Sequence, residues 1–175
     1  MRGIISPKLK PFLAQDNQAI ADAKQNNIGF SVELVRAGLN NLSAFLVNRP
    51  EISLIHDKSL PFGEHQIPVR IYHPSPQEKL PAMLHFHGGG HMCGNIDLYD
   101  PISRQLAKIS KCIVLCVDYR LSPEHPYPAG VDDCKQVLIH YKSLLEGMNH
   151  NDQVYIAGDS AGGAICTTLV MNSLE

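Results

Sequence analysis

The chain has 175 residues, 44% hydrophobic and 18% charged, with a net charge of −2. That length and apolar content suit one globular domain and exclude a disordered chain. There is no basic run, no apolar stretch of membrane-spanning length and no apolar leader in residues 1–10, so nothing points to nucleic acid, a membrane span or secretion. Cys93, Cys112, Cys116, Cys134 and Cys166 form no C-x-x-C pair and no even set. They are expected as reduced thiols in a cytoplasmic protein.

Residues 1–50 carry helical periodicity and no strand pattern. Leu9, Phe12 and Leu13 make one short apolar stripe, and Val32, Val35, Leu39, Leu42 and Phe45 make a second. Asn26, Asn27 and Gly29 punctuate the two, and Pro50 ends the region. This part is expected as a helical cap segment on a core that occupies 51–175. From Ile52 the period changes. Ile52–His56 and Ile67–His73 read as strands joined through Pro61 and Gly63. Ala82–His87 is a short apolar strand, and Ile96–Ile109 a helix with Pro101 early in it. Cys112–Asp118 is almost continuously apolar, as in a strand buried on both faces. Val131–Leu145 reads as a helix, Val154–Gly158 as a strand, and Ser160 onward as a last helix. An antiparallel opening followed by this alternation predicts an α/β fold with a mostly parallel sheet.

In such sheets, sites form beyond the carboxyl ends of the strands, and three loops there carry chemistry. His87-Gly88-Gly89-Gly90 follows the third strand. Its glycines let backbone N–H groups approach a developing oxyanion, as in the HGGG loops of lipases and esterases. Gly89 and Gly90 are the favoured donors, with Gly88 kept in the set and His87 as support. A glycine run alone is also a common turn. The second loop is Gly158-Asp159-Ser160-Ala161-Gly162, a G-x-S-x-G nucleophile elbow between strand and helix. Ser160 is its nucleophile, the Ala161 N–H a third oxyanion donor, and Asp159 a support. Alone, the motif also describes a serine N-cap. The strand–elbow–helix context and the upstream glycine loop select the elbow. The third loop, Asp118 to Ala129, is proline-rich. Asp118, Arg120 and Glu124 are expected to tie it down.

Two other arrangements were weighed. His85, His87 and His91 form H-x-H-x-x-x-H, a spacing that zinc can use. The glycines between the last two suit an oxyanion loop better, so no metal is expected. A triad is defined by geometry and not by chain position, so His91 or His125 is a conceivable base for Ser160, but His125 sits in the supporting loop.

HGGG, then DYRLSPEHPYPA, then GDSAGG, in this order, resembles the hormone-sensitive-lipase-like family of α/β-hydrolase esterases. Pro68-Val69-Arg70-Ile71-Tyr72 and the helical N-terminus share the resemblance, which covers essentially the whole chain. It implies an α/β-hydrolase with an N-terminal helical cap, carboxylic ester hydrolysis through Ser160, short to medium acyl chains, and neither metal nor organic cofactor. His91 departs from the family, which places an aromatic or apolar residue there. The larger departure is length. The family supplies its acidic residue and its histidine after further strands, whereas Glu175 is the only carboxylate side chain after Ser160, and no histidine follows it. The chain is therefore expected to be truncated after the elbow helix and inactive alone. A complementary C-terminal polypeptide or a second copy is expected to cover the apolar edge at Val154–Gly158. The alternative is an inactive fragment or a small-molecule-binding module of the same fold.

Overall fold

The structure is a computed structural model that describes residues 4–29, 31–41 and 48–172. Leu42, Phe45 and Glu175 lie outside the described residues. By internal contacts the chain divides into Met1–Val35 and Arg36–Glu175. The first unit holds a 3-10 turn at Pro7–Leu9 and helix α1, Lys10–Gln25. Pro11 sits in the first turn of α1, where its missing N–H breaks no helical bond. Helix α2, Val32–Asn41, spans the division, with Val32, Val35 and Leu39 half-buried as their spacing predicts.

The second unit is built on strands β1 (Leu54–Phe62), β2 (His65–His73), β3 (Leu80–Phe86), β4 (Ile113–Val117) and β5 (His150–Gly158). Three helices alternate with the later strands: α3 (Ile96–Ser110), α4 (Ala129–Leu144) and α5 (Ala161–Asn172). The strand order is β1-β2-β4-β3-β5. β1 pairs antiparallel with β2, and β2 with β4, whereas β3 runs parallel to both β4 and β5. The antiparallel opening and the parallel half appear where the sequence puts them.

Two of the boundary shifts are informative. Pro61 lies within β1, opposite Gln66, rather than in the turn. A proline is tolerated there because β1 is the edge of the described sheet and one side of it needs no ladder partner. β5 begins at His150, before the apolar run, because Leu80 of β3 pairs with His150, and a register shift then carries the ladder to Ala82 and Val154.

The alternating faces of the central strands explain the continuous apolar runs. Ile113, Leu115 and Val117 face one core with Cys134, Val137 and Tyr141 of α4 and Ile165 and Leu169 of α5. Val114 and Cys116 face the other, with Ile96, Leu98, Tyr99 and Ala107 of α3. The sheet is thus covered by α4 and α5 on one side and by α3 on the other. Among the described residues no helix is long and apolar enough to cross a membrane.

The register positions the site. Phe86 pairs with both Val117 and Gly158, so β3, β4 and β5 end level with one another. The loops that leave them start side by side, at residues 87, 118 and 159.

Candidate active site

At the end of β5 the chain turns sharply. Ser160 has φ 51°, a left-handed conformation unusual for a residue with a side chain. Gly162 N–H donates to Asp159 O at 2.8 Å and Ala164 N–H to Ser160 O at 3.1 Å, closing the turn into α5. A Cβ on Gly162 would collide with the backbone carbonyl of Phe86, which explains why glycine stands there. Ser160 is exposed at the apex, at the amino-terminal end of α5.

Asp159 reaches from this turn to the glycine loop. Gly88 N–H donates to Asp159 Oδ1 at 3.0 Å and to Tyr99 Oη at 3.1 Å, and the Tyr99 hydroxyl donates to Asp159 Oδ2 at 3.1 Å. Burial pushes the Tyr99 hydroxyl up to about 12, so it keeps its proton. The Gly88 N–H is therefore occupied and unavailable to a ligand. Beyond it, Met92 and Cys93 N–H both donate to Gly89 O, at 3.1 and 2.9 Å, and fold the loop into a tight turn. Gly90 and His91 both have φ 62°. Among the described residues the N–H groups of Gly89, Gly90 and Ala161 donate to no partner inside the chain. These three N–H groups are free to receive an anion.

His87 is buried beneath the loop. Its ring stacks on Tyr119 at 4.4 Å and 17°, and Tyr119 Oη donates to His87 O at 2.6 Å. Nδ1 donates to Gly88 O at 2.8 Å, which leaves Nε2 as a buried acceptor with no partner among the described residues. Burial lowers its pKa, so the ring is a neutral prop. His85 is also buried, hydrogen-bonded to Ser103 Oγ at 3.1 Å, and burial lowers it to about 4. His91 is exposed. His85 and His87 both lie against the Tyr99 ring, at 5.8 and 5.3 Å, apart from the exposed His91.

The loop after β4 is tied down as its composition suggests. Asp118 accepts from Ile96 N–H at 3.3 Å at the start of α3, whose N-cap Asn95 accepts from Leu98 N–H at 2.8 Å. The Arg120 guanidinium and N–H bind Asp133 of α4, which also meets His65 at 3.0 Å. The Arg120 contacts outweigh the cost of burying Asp133, and its carboxyl stays below the usual range. Ser122 N–H donates to His91 O at 2.8 Å, joining this loop to the glycine loop. His91 and His125 line a cavity of about 200 Å³ with Arg120, Ser122 and Tyr127; Ser160 is not part of its wall. No histidine among the described residues hydrogen-bonds Ser160.

The structure thus brings together Ser160, Ala161, Asp159, Gly88, Gly89, Gly90 and His87. Sequence reasoning missed Tyr99, Arg36 and Asp133. Tyr99 lies one turn into α3 and reads as an ordinary core aromatic. Arg36 and Asp133 are charged residues on helices, with no local signal of partners 88 and 13 residues away.

A family model described as the α/β-hydrolase fold matches residues 83–175. The carboxylesterase NlhH of Mycobacterium tuberculosis is 39% identical over 141 residues, covering 79% of this chain and 44% of that protein. The gibberellin receptor GID1B of Arabidopsis thaliana is 40% identical over 104 residues, 57% of this chain and 29% of that one. The solved structure of a hyperthermophilic esterase from the archaeon Pyrobaculum calidifontis superposes with a TM-score of 0.78 at 33% identity, over 98% of this chain and 55% of that one. The chain spans about half the length of the esterases it matches.

Proposed function

We propose that this chain, which belongs to the α/β-hydrolase family in its hormone-sensitive-lipase-like esterase branch, supplies the nucleophile and oxyanion hole of a carboxylic ester hydrolase. The observation that carries the reading is the juxtaposition across Asp159. One carboxylate ties the glycine loop to the serine turn, leaving the Gly89, Gly90 and Ala161 N–H groups free on the loops that flank Ser160.

The mechanism follows from these positions. Ser160 Oγ attacks the ester carbonyl carbon while its proton passes to a histidine. The carbonyl oxygen becomes an oxyanion and accepts from the three free N–H groups. The alkoxide leaves with the proton returned by the histidine. Water then attacks the acyl-Ser160 ester by the same route and releases the acid. Each aligned donor contributes roughly 3–4 kcal/mol at the transition state. The dipole of α5 adds to the same field. Asp159 and His87 are supports, holding Gly88 and the floor of the loop. No cofactor takes part in these steps. The substrates are small esters with short to medium acyl groups, and the five free thiols suit the reducing cytoplasm.

In this reading residues 1–50 are the helical cap segment and 51–175 the N-terminal part of the hydrolase core. The base and acid are further groups that complete the site, since no histidine among the described residues hydrogen-bonds Ser160. A further strand, from a partner polypeptide or a second copy of the chain, pairs with the edge strand β5, where Val154 and Tyr155 are exposed. Native mass spectrometry finding active material that is a lone 175-residue species would contradict this.

The test of function is Ser160→Ala in the active protein. Turnover of a short-chain p-nitrophenyl ester should fall by at least about a thousandfold, with folding intact; persistent turnover overturns the proposal. The similarity to a hormone receptor supports one alternative, a binding module of the same fold. Tight small-molecule binding without ester turnover would select it.

A further inference from the structure

We infer that Arg36 is a positioning residue for the oxyanion hole, acting through the outer end of the glycine loop. The inference rests on the esterase reading above. Arg36 is the first residue of the second compact unit. Its guanidinium spans two loops. Nε donates to Met92 O at 2.7 Å, Nη2 to Ser122 O at 3.0 Å, and Nη1 and Nη2 bind Glu124 as a fork at 2.8 and 2.7 Å. The fork with Glu124 lies at the surface, whereas the bonds to Met92 O and Ser122 O are part-buried.

Met92 is the residue whose N–H closes the turn onto Gly89 O. Its own carbonyl points to Arg36. Between them stand Gly90 and His91, both left-handed, and His91 O accepts from Ser122 N–H. The turn carrying two of the three free donors is thus held at its inner end by Asp159 and Tyr99, and at its outer end by Arg36 and Ser122. A loop fixed at one end swings its donors; fixed at both, it keeps them aimed. Donors tenths of an ångström off target lose most of their effect on the transition state and little on ground-state binding. Arg36 holds the Glu124 carboxyl down at about 2, so the fork stays ionised at any working pH. Planarity matters as well as charge. Lysine offers a point charge and cannot serve Met92 O, Ser122 O and Glu124 together.

The experiment uses Arg36→Met and Arg36→Lys in the active protein, beside Ser160→Ala. A trifluoromethyl ketone, whose adduct with the serine places an oxyanion in the hole, is the probe. Arg36→Met should lower kcat about tenfold and weaken the ketone by a similar factor, with KM for the ester nearly unchanged. Arg36→Lys should lose part of both. A purely structural role would alter the folded fraction but leave the ketone affinity of folded protein unmoved. Unchanged kcat and ketone affinity in folded Arg36→Met overturn the inference, as does failure of both variants to fold, which would assign Arg36 to stability alone. If Ser160→Ala keeps its turnover, the esterase reading itself fails. If Ser160→Ala is inactive and the Arg36 variants behave as the parent, only the inference about Arg36 fails.

Discussion

The glycine loop and the serine turn meet at one carboxylate but are held in place differently. The turn at 158–163 is fixed by backbone against backbone: Gly162 sits against the Phe86 carbonyl, where no side-chain carbon fits. The loop at 87–94 closes on itself through the Met92 and Cys93 N–H bonds to Gly89 O, but it is held against the rest of the site by side chains from elsewhere, namely Asp159, Tyr99, Tyr119 and Arg36, with neutral imidazoles beneath it. Gly90 has open space around it and needs glycine only for its dihedral. The difference teaches that the proposed nucleophile is placed by sterics, which allow one solution, whereas the proposed oxyanion donors are aimed by a polar network that can be tuned.

Perturbing each kind of support separates the two. Gly162→Ala forces a methyl group into the Phe86 carbonyl, which cannot yield without moving β3, and should cost about 3 kcal/mol or more; thermal unfolding reads this directly. Acid should act on the loop's floor. His85 is neutral when folded down to about 4 but takes a proton near its usual value of 6.5 when unfolded. Stability is therefore full above about pH 6.5 and falls as pH drops toward about 4, by about 3 kcal/mol from His85. His87 shifts in the same direction. Denaturant unfolding at about pH 7 and about pH 4.5 checks this. Gly90→Ala should cost about 1–2 kcal/mol, from the left-handed dihedral alone, and should lower kcat more than it raises KM. Gly163→Ala is the smallest change. Its Cβ would stand 3.4 Å from Gly158 O, an ordinary contact, inside a helix. It should raise stability by about 0.5–1 kcal/mol, seen as a higher Tm, and sets the scale against which Gly162→Ala is judged.

The parts legible in the sequence were those written in local pattern. The β4 run, the alternating helices and the two glycine motifs each state their own conformation, and the level strand ends bring the motifs together. Pro61 misled because a proline marks a turn in most contexts, and only knowledge of the sheet order shows that β1 is an edge. Gly89 and Gly90 are the donors the sequence favours, but the sequence alone keeps Gly88 in the set. What separates it is Asp159, 71 residues away. Tyr99 and Arg36 were invisible for the same reason: their partners are set by tertiary folding, and neither carries a motif. The three motifs were therefore readable, while the side chains that aim them were not.

The central claim is that Ser160 is a nucleophile facing a hole made by Gly89, Gly90 and Ala161. The most direct measurement is mass mapping of the active protein after reaction with an aryl phosphonate ester, which labels an activated serine and mimics the tetrahedral intermediate. The account predicts one phosphonyl group on the peptide containing Ser160, none in Ser160→Ala, and slower labelling in Gly90→Ala. Label on any other residue, or undiminished labelling of Ser160→Ala, would contradict it.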